Sequence, residues 1–296
     1  MTTDNLPEVQ WFPGHMKKAQ RIIEKHLPLV DIVVELRDAR VPSSSSNPLL
    51  AKIIKEKPRL IILTKSDLAD PRLTKLWLDF FAEQKLTALA VDMQNGQGLK
   101  AFTRAAENLA RPFTDRLAQK GVKSRAARMM ILGIPNVGKS TLINRLAGAA
   151  KTKTANTPGV TRAEQWIRVG KSLELLDTPG ILWPKFEDKL VGVNLASVGA
   201  IRDEVFDTED IAVELLRKLR VEYADSLKNR FKIAEELPKS ERELLELIGK
   251  KRGCLLKGGV IDESKAAVLL LTEFRAGRLG RISLEKPISV SSAEGA

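Results

Sequence analysis

The sequence predicts an α/β fold in which a doubly wound, mostly parallel sheet is followed by a small all-helical domain. The first two-thirds of the chain alternate short apolar segments with amphipathic ones, which is the pattern of strand–helix–strand units. Several apolar segments are nearly continuous aliphatic runs, such as LVDIVVEL and RLIIL, and such runs are typical of parallel strands covered on both faces. After about Leu182 these runs stop, and the remaining segments combine helical periodicity with mixed charge.

The individual elements follow from this alternation. Strands are expected at 29–36, 59–64, 87–92, 128–133, 165–169 and 173–177. Helices are expected at 16–27, 48–57, 72–84, 99–110 and 139–146, and then at 204–219, 222–235, 239–250 and 264–275. The helix at 48 begins with Asn47-Pro48, where an N-cap residue precedes a proline in the first helical position.

The length of 296 residues suggests about two domains. We expect an α/β domain over 1–185, a linker to about 204, a helical domain over 205–286 and a disordered tail over 287–296. The first ten residues are polar and acidic, no apolar run approaches the ~18 residues that cross a bilayer, and Cys254 alone cannot form an internal disulfide. These features predict a protein of the cytoplasm or of an organelle matrix.

Composition excludes disorder throughout, because 43% of the residues are hydrophobic and 29% are charged. The net charge of +12 favours a polyanionic partner, either nucleic acid or an anionic membrane surface. Two segments concentrate this charge, 111–128 with six basic residues against Asp115 alone, and 250–286 with nine against four acidic ones. Few aromatic residues lie among them, so structured RNA fits better than stacking on single-stranded bases.

A phosphate-binding loop is the strongest chemical signal. The segment GIPNVGKS at 133–140 fits G-x-x-x-x-G-K-[ST], and it lies between a predicted strand and a predicted helix, as this motif requires. Lys139 can reach the β- and γ-phosphates, and the Ser140 hydroxyl can bind Mg²⁺. The expected nucleotide contacts of this loop are Asn136, Val137, Gly138, Lys139, Ser140 and Thr141.

Downstream residues complete the expected phosphate and metal site. Asp177, at the end of a predicted strand, can hold Mg²⁺ through a water molecule, and the Gly180 amide can contact the γ-phosphate. Thr161 is the expected further Mg²⁺ ligand, with Thr157 as the alternative. Many GTPases place a glutamine after D-x-x-G to orient the attacking water. Ile181 occupies that position here, so we expect a low intrinsic hydrolysis rate.

Upstream of the loop, TKSD at 64–67 ends a predicted strand and fits the guanine-recognition pattern [NT]-K-x-D, which is absent downstream of Gly180. Asp67 can accept hydrogen bonds from the N1–H and the exocyclic amine of guanine, and the Lys65 stem can pack along the base. Four residues alone would also fit an ordinary turn after a strand.

The order TKSD, GIPNVGKS, DTPG resembles that of the circularly permuted GTPases, and in particular their bacterial ribosome biogenesis GTPase A group. The resemblance extends over about residues 10–286. It includes WFPGHM at 11–16, DARVP at 38–42, DTPGILWPK at 177–185, RGCLLKGG at 252–259 and FRAGRLGR at 274–281.

The resemblance implies a circularly permuted P-loop GTPase that hydrolyses GTP to GDP with Mg²⁺. It also implies an assembly factor that acts in late maturation of the large ribosomal subunit, with ribosomal RNA as its partner and without contact to membrane or DNA. Nucleotide state would control docking and release, and the subunit would stimulate hydrolysis. The alternative is an RNA-associated binding module with a structural nucleotide and little turnover.

The resemblance also assigns roles to particular residues. His15 is implied as the catalytic group, and Asn136 as a ligand of K⁺ beside the phosphates. Met93 lies in the family's Ser-Ala position, so its backbone amide is the expected contact of guanine O6. Thr64 replaces the more general asparagine, and we therefore expect a weaker tie between Thr64 and the phosphate loop.

Overall fold

The computed structural model describes residues 6–7, 16–54, 57–121, 125–148, 166–170, 172–176, 182, 186 and 188–288. These residues form two compact units. The sheet unit comprises the described residues between 13 and 184 together with those from 285 onward, and the helical unit comprises those between 185 and 284 together with residues 6 and 7.

The sheet unit contains six described strands. They are β1 (Ile32–Asp38), β2 (Arg59–Thr64), β3 (Thr87–Ala90), β4 (Ala127–Gly133), β5 (Trp166–Val169) and β6 (Leu173–Leu176). Their order in the sheet is β3-β2-β1-β4-β6-β5, and every neighbouring pair is parallel except β5 with β6. The predicted mostly parallel sheet is thereby confirmed.

Helices cover both faces of this sheet. In the sheet unit these are α1 (Met16–His26), α2 (Pro48–Ile54), α3 (Pro71–Glu83), α4 (Leu99–Gln119) and α5 (Lys139–Ala147). All seven residues of β1 are buried, which requires a covering layer on each side of the strand. Ile23 of α1 and Leu50 of α2 pack with Val33 and Met130 in one core cluster, and Trp77 and Phe81 of α3 pack with β2 in another on the same face of the sheet. Helix α4 packs against β1, β2 and β4.

Helix α4 is longer than its sequence predicts. Its buried residues are Phe102, Ala106 and Ala110, and none of the residues that follow in the helix is buried. Because the apolar stripe ends at Ala110, hydrophobic periodicity also ends there, and the predicted helix stops too early. The chain nevertheless remains helical to Gln119, past Pro112, and its last turns are exposed to solvent.

The helical unit contains α6 (Lys189–Ser197), α7 (Thr208–Glu222), α8 (Ala224–Phe231), α9 (Glu241–Arg252) and α10 (Glu263–Arg275). The predicted linker to about 204 is wrong where α6 lies, because this helix buries every residue from Gly192 to Ser197 and so has no amphipathic period to recognise. The predicted helix over 222–235 ends at Phe231, where Lys232 adopts a left-handed conformation with φ of 57°.

The last described residues return to the sheet unit. Glu285 accepts hydrogen bonds from the Ser43 amide at 2.6 Å and the Ser44 amide at 3.0 Å, and its own carbonyl accepts one from Trp77 Nε1 at 3.3 Å. The helical unit thus ends at Leu284, two residues before the predicted end of the helical domain at 286. Most of the predicted disordered tail, 289–296, lies outside the described residues. Among the described helices, none has the length and apolarity needed to cross a bilayer.

Candidate functional site

The candidate site lies at the edge of the sheet where the parallel strands end. From β1 the chain continues to β2 and then β3 on one side, whereas β4 is followed by strands on its other side. The strand order therefore reverses direction between β1 and β4, and ligands of open α/β sheets bind at such a reversal, beyond the carboxyl ends of the strands. Two of the sequence motifs follow β2 and β4 and thus reach this edge.

The phosphate loop connects β4 to α5 through a backbone that only particular residues can adopt. A Cβ atom on Gly133 would lie 2.9 Å from the Leu36 carbonyl oxygen and 3.0 Å from Val137 Cγ1, so the site has no room for a side chain. Gly138 has φ of +101° and Asn136 has φ of 55°, both on the positive side that glycine and asparagine tolerate best. The loop therefore curves tightly into the N-terminus of α5.

Lys139 begins α5 and turns back over this loop. Its ammonium donates to the Gly133 carbonyl at 3.0 Å and to the Ile134 carbonyl at 2.7 Å, and the residue is 9% exposed. Asn136, Ser140 and Thr141 are exposed beside it, whereas Val137 is buried. A positive charge, backbone amides and a helix N-terminus thus share one small region, which is the chemistry that binds a phosphate.

Thr64 joins the guanine-type motif to the phosphate loop. It is fully buried, and its hydroxyl lies 2.7 Å from the Val137 carbonyl and 3.1 Å from the Arg37 carbonyl. A hydroxyl has one proton to donate, and the shorter distance favours the bond to Val137. The Thr64 hydroxyl therefore bonds directly to the phosphate loop, and the expectation that this tie is weaker than that of an asparagine stays a prediction.

Lys65 follows in a left-handed conformation, with φ of 54°, and its ammonium lies 3.0 Å from Asp38 Oδ2. Asp38 also receives the side chain of Arg40, from Nε at 2.9 Å and from Nη2 at 2.8 Å. Burial acts to raise the pKa of Asp38, but the charges of Arg40 and Lys65 and the hydrogen bonds from Arg40 outweigh it, so this pKa lies well below its ordinary value.

A third segment, 92–97, follows β3 at the same edge of the sheet. Asp92 Oδ1 accepts the Gln94 amide at 2.6 Å and the Asn95 amide at 3.2 Å, and Met93 is 6% exposed. The Val91 amide donates to the Leu63 carbonyl at 2.8 Å, so this segment lies beside the end of β2, which leads to Asp67. Asp67 itself is partly buried.

The structure therefore places every described residue that the sequence predicts for nucleotide binding at the same edge of the sheet. Four of them follow β2 and β3, namely Thr64, Lys65, Asp67 and Met93, and the others belong to the loop and first turn at 136–141. His15, Thr157, Thr161, Asp177, Gly180 and Ile181 lie outside the described residues.

Sequence reasoning missed two contributors. Asp38 belongs to the DARVP segment at 38–42, which carries a family resemblance but no chemical motif, and its carboxylate holds Lys65. Arg145 on α5 bonds to the turn after β3, with Nε 2.9 Å from the Met93 carbonyl. For Arg145 the sequence carries no signal, because an arginine on a helix is ordinarily a surface residue.

Comparison with known proteins agrees with this geometry. Residues 128–250 match the family described as 50S ribosome-binding GTPase. The chain is 51% identical over 279 residues to ribosome biogenesis GTPase A of Bacillus cereus, covering 94% of each protein. It is 52% identical over 280 residues to the protein of the same name from Priestia megaterium, covering 94% of this chain and 97% of that protein.

A solved structure is also similar to this chain. The crystal structure of GNP-bound YlqF from T. maritima has a TM-score of 0.64 and 32% sequence identity, and the match covers 92% of this chain and all of the other. Relatives that are half identical across nearly the whole length, together with a shared fold, confirm the resemblance expected from the motifs. The chain belongs to the ribosome biogenesis GTPase A family of circularly permuted GTPases.

Proposed function

We propose that this chain hydrolyses GTP and acts as an assembly factor in late maturation of the large ribosomal subunit, with nucleotide state controlling docking and release. The observation that carries the proposal is the bond between Thr64 and the Val137 carbonyl at 2.7 Å. It joins two segments that are far apart in the sequence, one suited to guanine and one suited to phosphate. The names of its relatives, which are GTPases of ribosome biogenesis, support the cellular role.

In this proposal each side of the site binds one part of the nucleotide. The Asp67 carboxylate accepts from the guanine N1–H and exocyclic amine, and the Met93 amide donates to guanine O6. Lys139, Gly138 and neighbouring loop amides bind the β- and γ-phosphates. Lys65 holds its stem beside the base, because the bond to Asp38 fixes the ammonium.

The residues proposed as metal ligands fit Mg²⁺. The exposed Ser140 hydroxyl at the start of α5, Thr161 and Asp177 offer oxygen ligands only, which is the preference of this cation. When bound, Mg²⁺ neutralises charge that develops on the phosphates during transfer. Asn136, exposed on the phosphate loop, would hold K⁺, which adds a further positive charge.

Activation of the attacking water is assigned to His15, because Ile181 has no polar atom for that task. We propose that free protein hydrolyses GTP slowly and that the large subunit stimulates hydrolysis. Binding to the subunit would then place His15 beside the γ-phosphate.

The exposed end of α4 is the better supported contact for ribosomal RNA. Arg111, Arg116 and Lys120 are exposed there, beyond the last buried residue of the helix, with Asp115 as the nearby acid. An exposed basic helix end of this kind suits the phosphate backbone of RNA.

The C-terminal basic segment, 250–286, has fewer basic side chains available for RNA binding than its net charge suggests. Arg275 donates to the Ala196 carbonyl at 2.8 Å and to Asp203 at 2.7 Å, so it stabilises the helical unit. Arg278 pairs with Glu273 at 3.0 Å, and Lys251 pairs with Glu235 at 3.3 Å. Several of its nine basic residues therefore already have carboxylate partners, and we assign this segment the smaller share of RNA binding.

The test measures GTP hydrolysis by the full chain with and without purified large ribosomal subunits. We expect strong stimulation in the wild type, retained nucleotide affinity without stimulation in His15→Ala, and faster hydrolysis in potassium than in sodium buffer. Subunit binding without stimulation would select the RNA-associated binding module instead. Full stimulation of His15→Ala would reject the role of His15, and equal rates in the two buffers would reject the role of K⁺.

A further inference from the structure

We propose that Arg145 is a positioning residue for base recognition, which fixes the turn after β3 so that the Met93 amide can face the 6-oxo group of a purine. The inference rests on the proposed binding of a guanine nucleotide and adds a residue outside the sequence motifs. Arg145 lies on α5, six residues after Lys139, so one helix joins the phosphate loop to the turn that meets the base.

The guanidinium of Arg145 holds the carbonyl side of this turn. Its Nε donates to the Met93 carbonyl at 2.9 Å, and its Nη2 donates to the Gln94 carbonyl. Two successive carbonyls thus point toward α5. A planar guanidinium can make both bonds in one orientation, whereas a lysine ammonium has no such fork.

The carboxylate of Asp92 holds the amide side of the same turn. Its Oδ1 accepts from the Gln94 and Asn95 amides, and the Asp92 carbonyl accepts from the Gly96 amide at 3.0 Å. The turn is therefore fixed from both sides, with its carbonyls directed to a cation and its amides to an anion.

The Met93 amide differs from the other backbone amides of this segment. The other amides of 91–97 donate within the sheet unit, Val91 to Leu63, Asp92 to Gln97, Gln94 and Asn95 to Asp92, Gly96 to Asp92, and Gln97 to Asn95. In contrast, no described residue accepts a hydrogen bond from the Met93 amide. That amide belongs to the segment that follows Val91, whose own amide bonds to Leu63 at the end of β2, and a 6-oxo group is an acceptor that suits it.

The backbone after the turn offers little freedom to adjust. Gly98 has φ of +89°, and a Cβ atom there would lie 2.5 Å from the Ala90 carbonyl oxygen. The Met93 side chain is itself buried. These restraints remain when Arg145 is lost, so we expect the fold of the unit to be kept and only the direction of the Met93 amide, which the two Arg145 bonds fix, to become less defined.

The experiment compares two diphosphate ligands, GDP and the 2-aminopurine riboside analogue, which lacks the 6-oxygen. Dissociation constants are measured for the full-length wild type, Arg145→Met and Arg145→Lys. Arg104→Met, at an exposed position on α4, is the matched control. We expect Arg145→Met to weaken GDP binding about three- to tenfold, the value of one neutral hydrogen bond, and to weaken analogue binding much less. The affinity of Arg145→Lys for GDP should lie between those of the wild type and Arg145→Met, and the control variant should bind both ligands as the wild type does.

The proposal is tested by comparing the loss of affinity for GDP with the loss of affinity for the analogue in the same variant. The analogue also changes the contacts with Asp67, but this change is the same in every variant and does not affect the comparison. An equal loss for both ligands would show that Arg145 only stabilises α5 or the phosphate loop, and no loss for GDP would also overturn the proposal. If Arg145→Met does not fold, as judged by thermal unfolding, Arg145→Lys carries the same comparison. Failure of the wild type to prefer GDP over ADP would instead refute guanine binding itself.

Discussion

The two sides of the candidate site are held in place by different physical means. On the phosphate side, Gly133 and Gly138 shape the loop through the backbone alone, and Lys139 bonds to carbonyls of the same loop. On the base side, Lys65 and the turn at 92–97 are fixed by charged side chains from elsewhere in the unit, among them Asp38 and Arg145.

This difference indicates where charge is structural and where it is available for chemistry. Asp38 forms ion pairs with neighbouring cations in a buried cluster, so its removal should mainly lower the stability of the fold. Lys139 lies on a loop whose rim, at Asn136 and Ser140, is exposed, so its removal should first affect nucleotide chemistry. The predictions below test this contrast.

The largest effect is expected for Asp38→Asn. Asp38 and Arg40 are each 1% exposed, and the substitution leaves the guanidinium buried without its carboxylate. Breaking a buried ion pair in this way costs about 3–5 kcal/mol. Denaturant unfolding should show this loss in the sheet unit, whereas Asp79→Asn, at an exposed position on α3, should change stability by no more than about 0.5 kcal/mol.

The pH dependence of this effect has a defined sign. Because the folded-state pKa of Asp38 lies below its ordinary value, its contribution is fully present above that ordinary value and is lost as pH falls through the folded pKa. The difference in unfolding free energy between wild type and Asp38→Asn should therefore stay constant from neutral pH to about pH 5 and shrink below about pH 4. A difference that grows on acidification would contradict the ion-pair account.

Lys139→Ala should affect the rate of hydrolysis strongly and the stability of the fold only weakly. In the proposed function Lys139 faces the transferring phosphate, so we expect its loss to lower the rate of hydrolysis by about 10²–10³-fold. Stability should fall by only about 1 kcal/mol, because water at the exposed rim can replace the bonds to the Gly133 and Ile134 carbonyls. Single-turnover hydrolysis and denaturant unfolding measure the two quantities, with Lys75→Ala on α3 as an exposed control. A variant that unfolds as readily as Asp38→Asn would remove the contrast between the two sides.

The same contrast explains which parts of the site the sequence predicts. The phosphate loop is contiguous, and its glycines and lysine at 133–139 follow from the geometry of one strand-to-helix turn. The base side is assembled from segments after β1, β2 and β3 and from α5, and no spacing along the chain encodes the approach of Arg145 to Met93.

The fold shows a similar limit. Largely aliphatic runs identify β1, β2 and β4, because strands that are covered on both faces consist mainly of apolar residues. Helix α6 is buried at every residue from Gly192 to Ser197 and the end of α4 is exposed, so both lack the amphipathic period that identifies a helix. Amphipathic periodicity thus identifies half-buried helices and misses the parts of helices that are fully buried or fully exposed.

The smallest effect is expected where the two sides meet. Thr64→Val keeps the shape of a fully buried side chain but removes the donor to the Val137 carbonyl. We expect a loss of about 1 kcal/mol in stability and a loss of a few-fold in GTP affinity, since the loop is no longer bonded to the base side. Thr64→Ser, which keeps the hydroxyl, should retain more of the affinity than the valine variant. Isothermal titration of the three proteins measures this, and equal affinities would mean that the phosphate loop holds its shape independently of the base side, through its glycines alone.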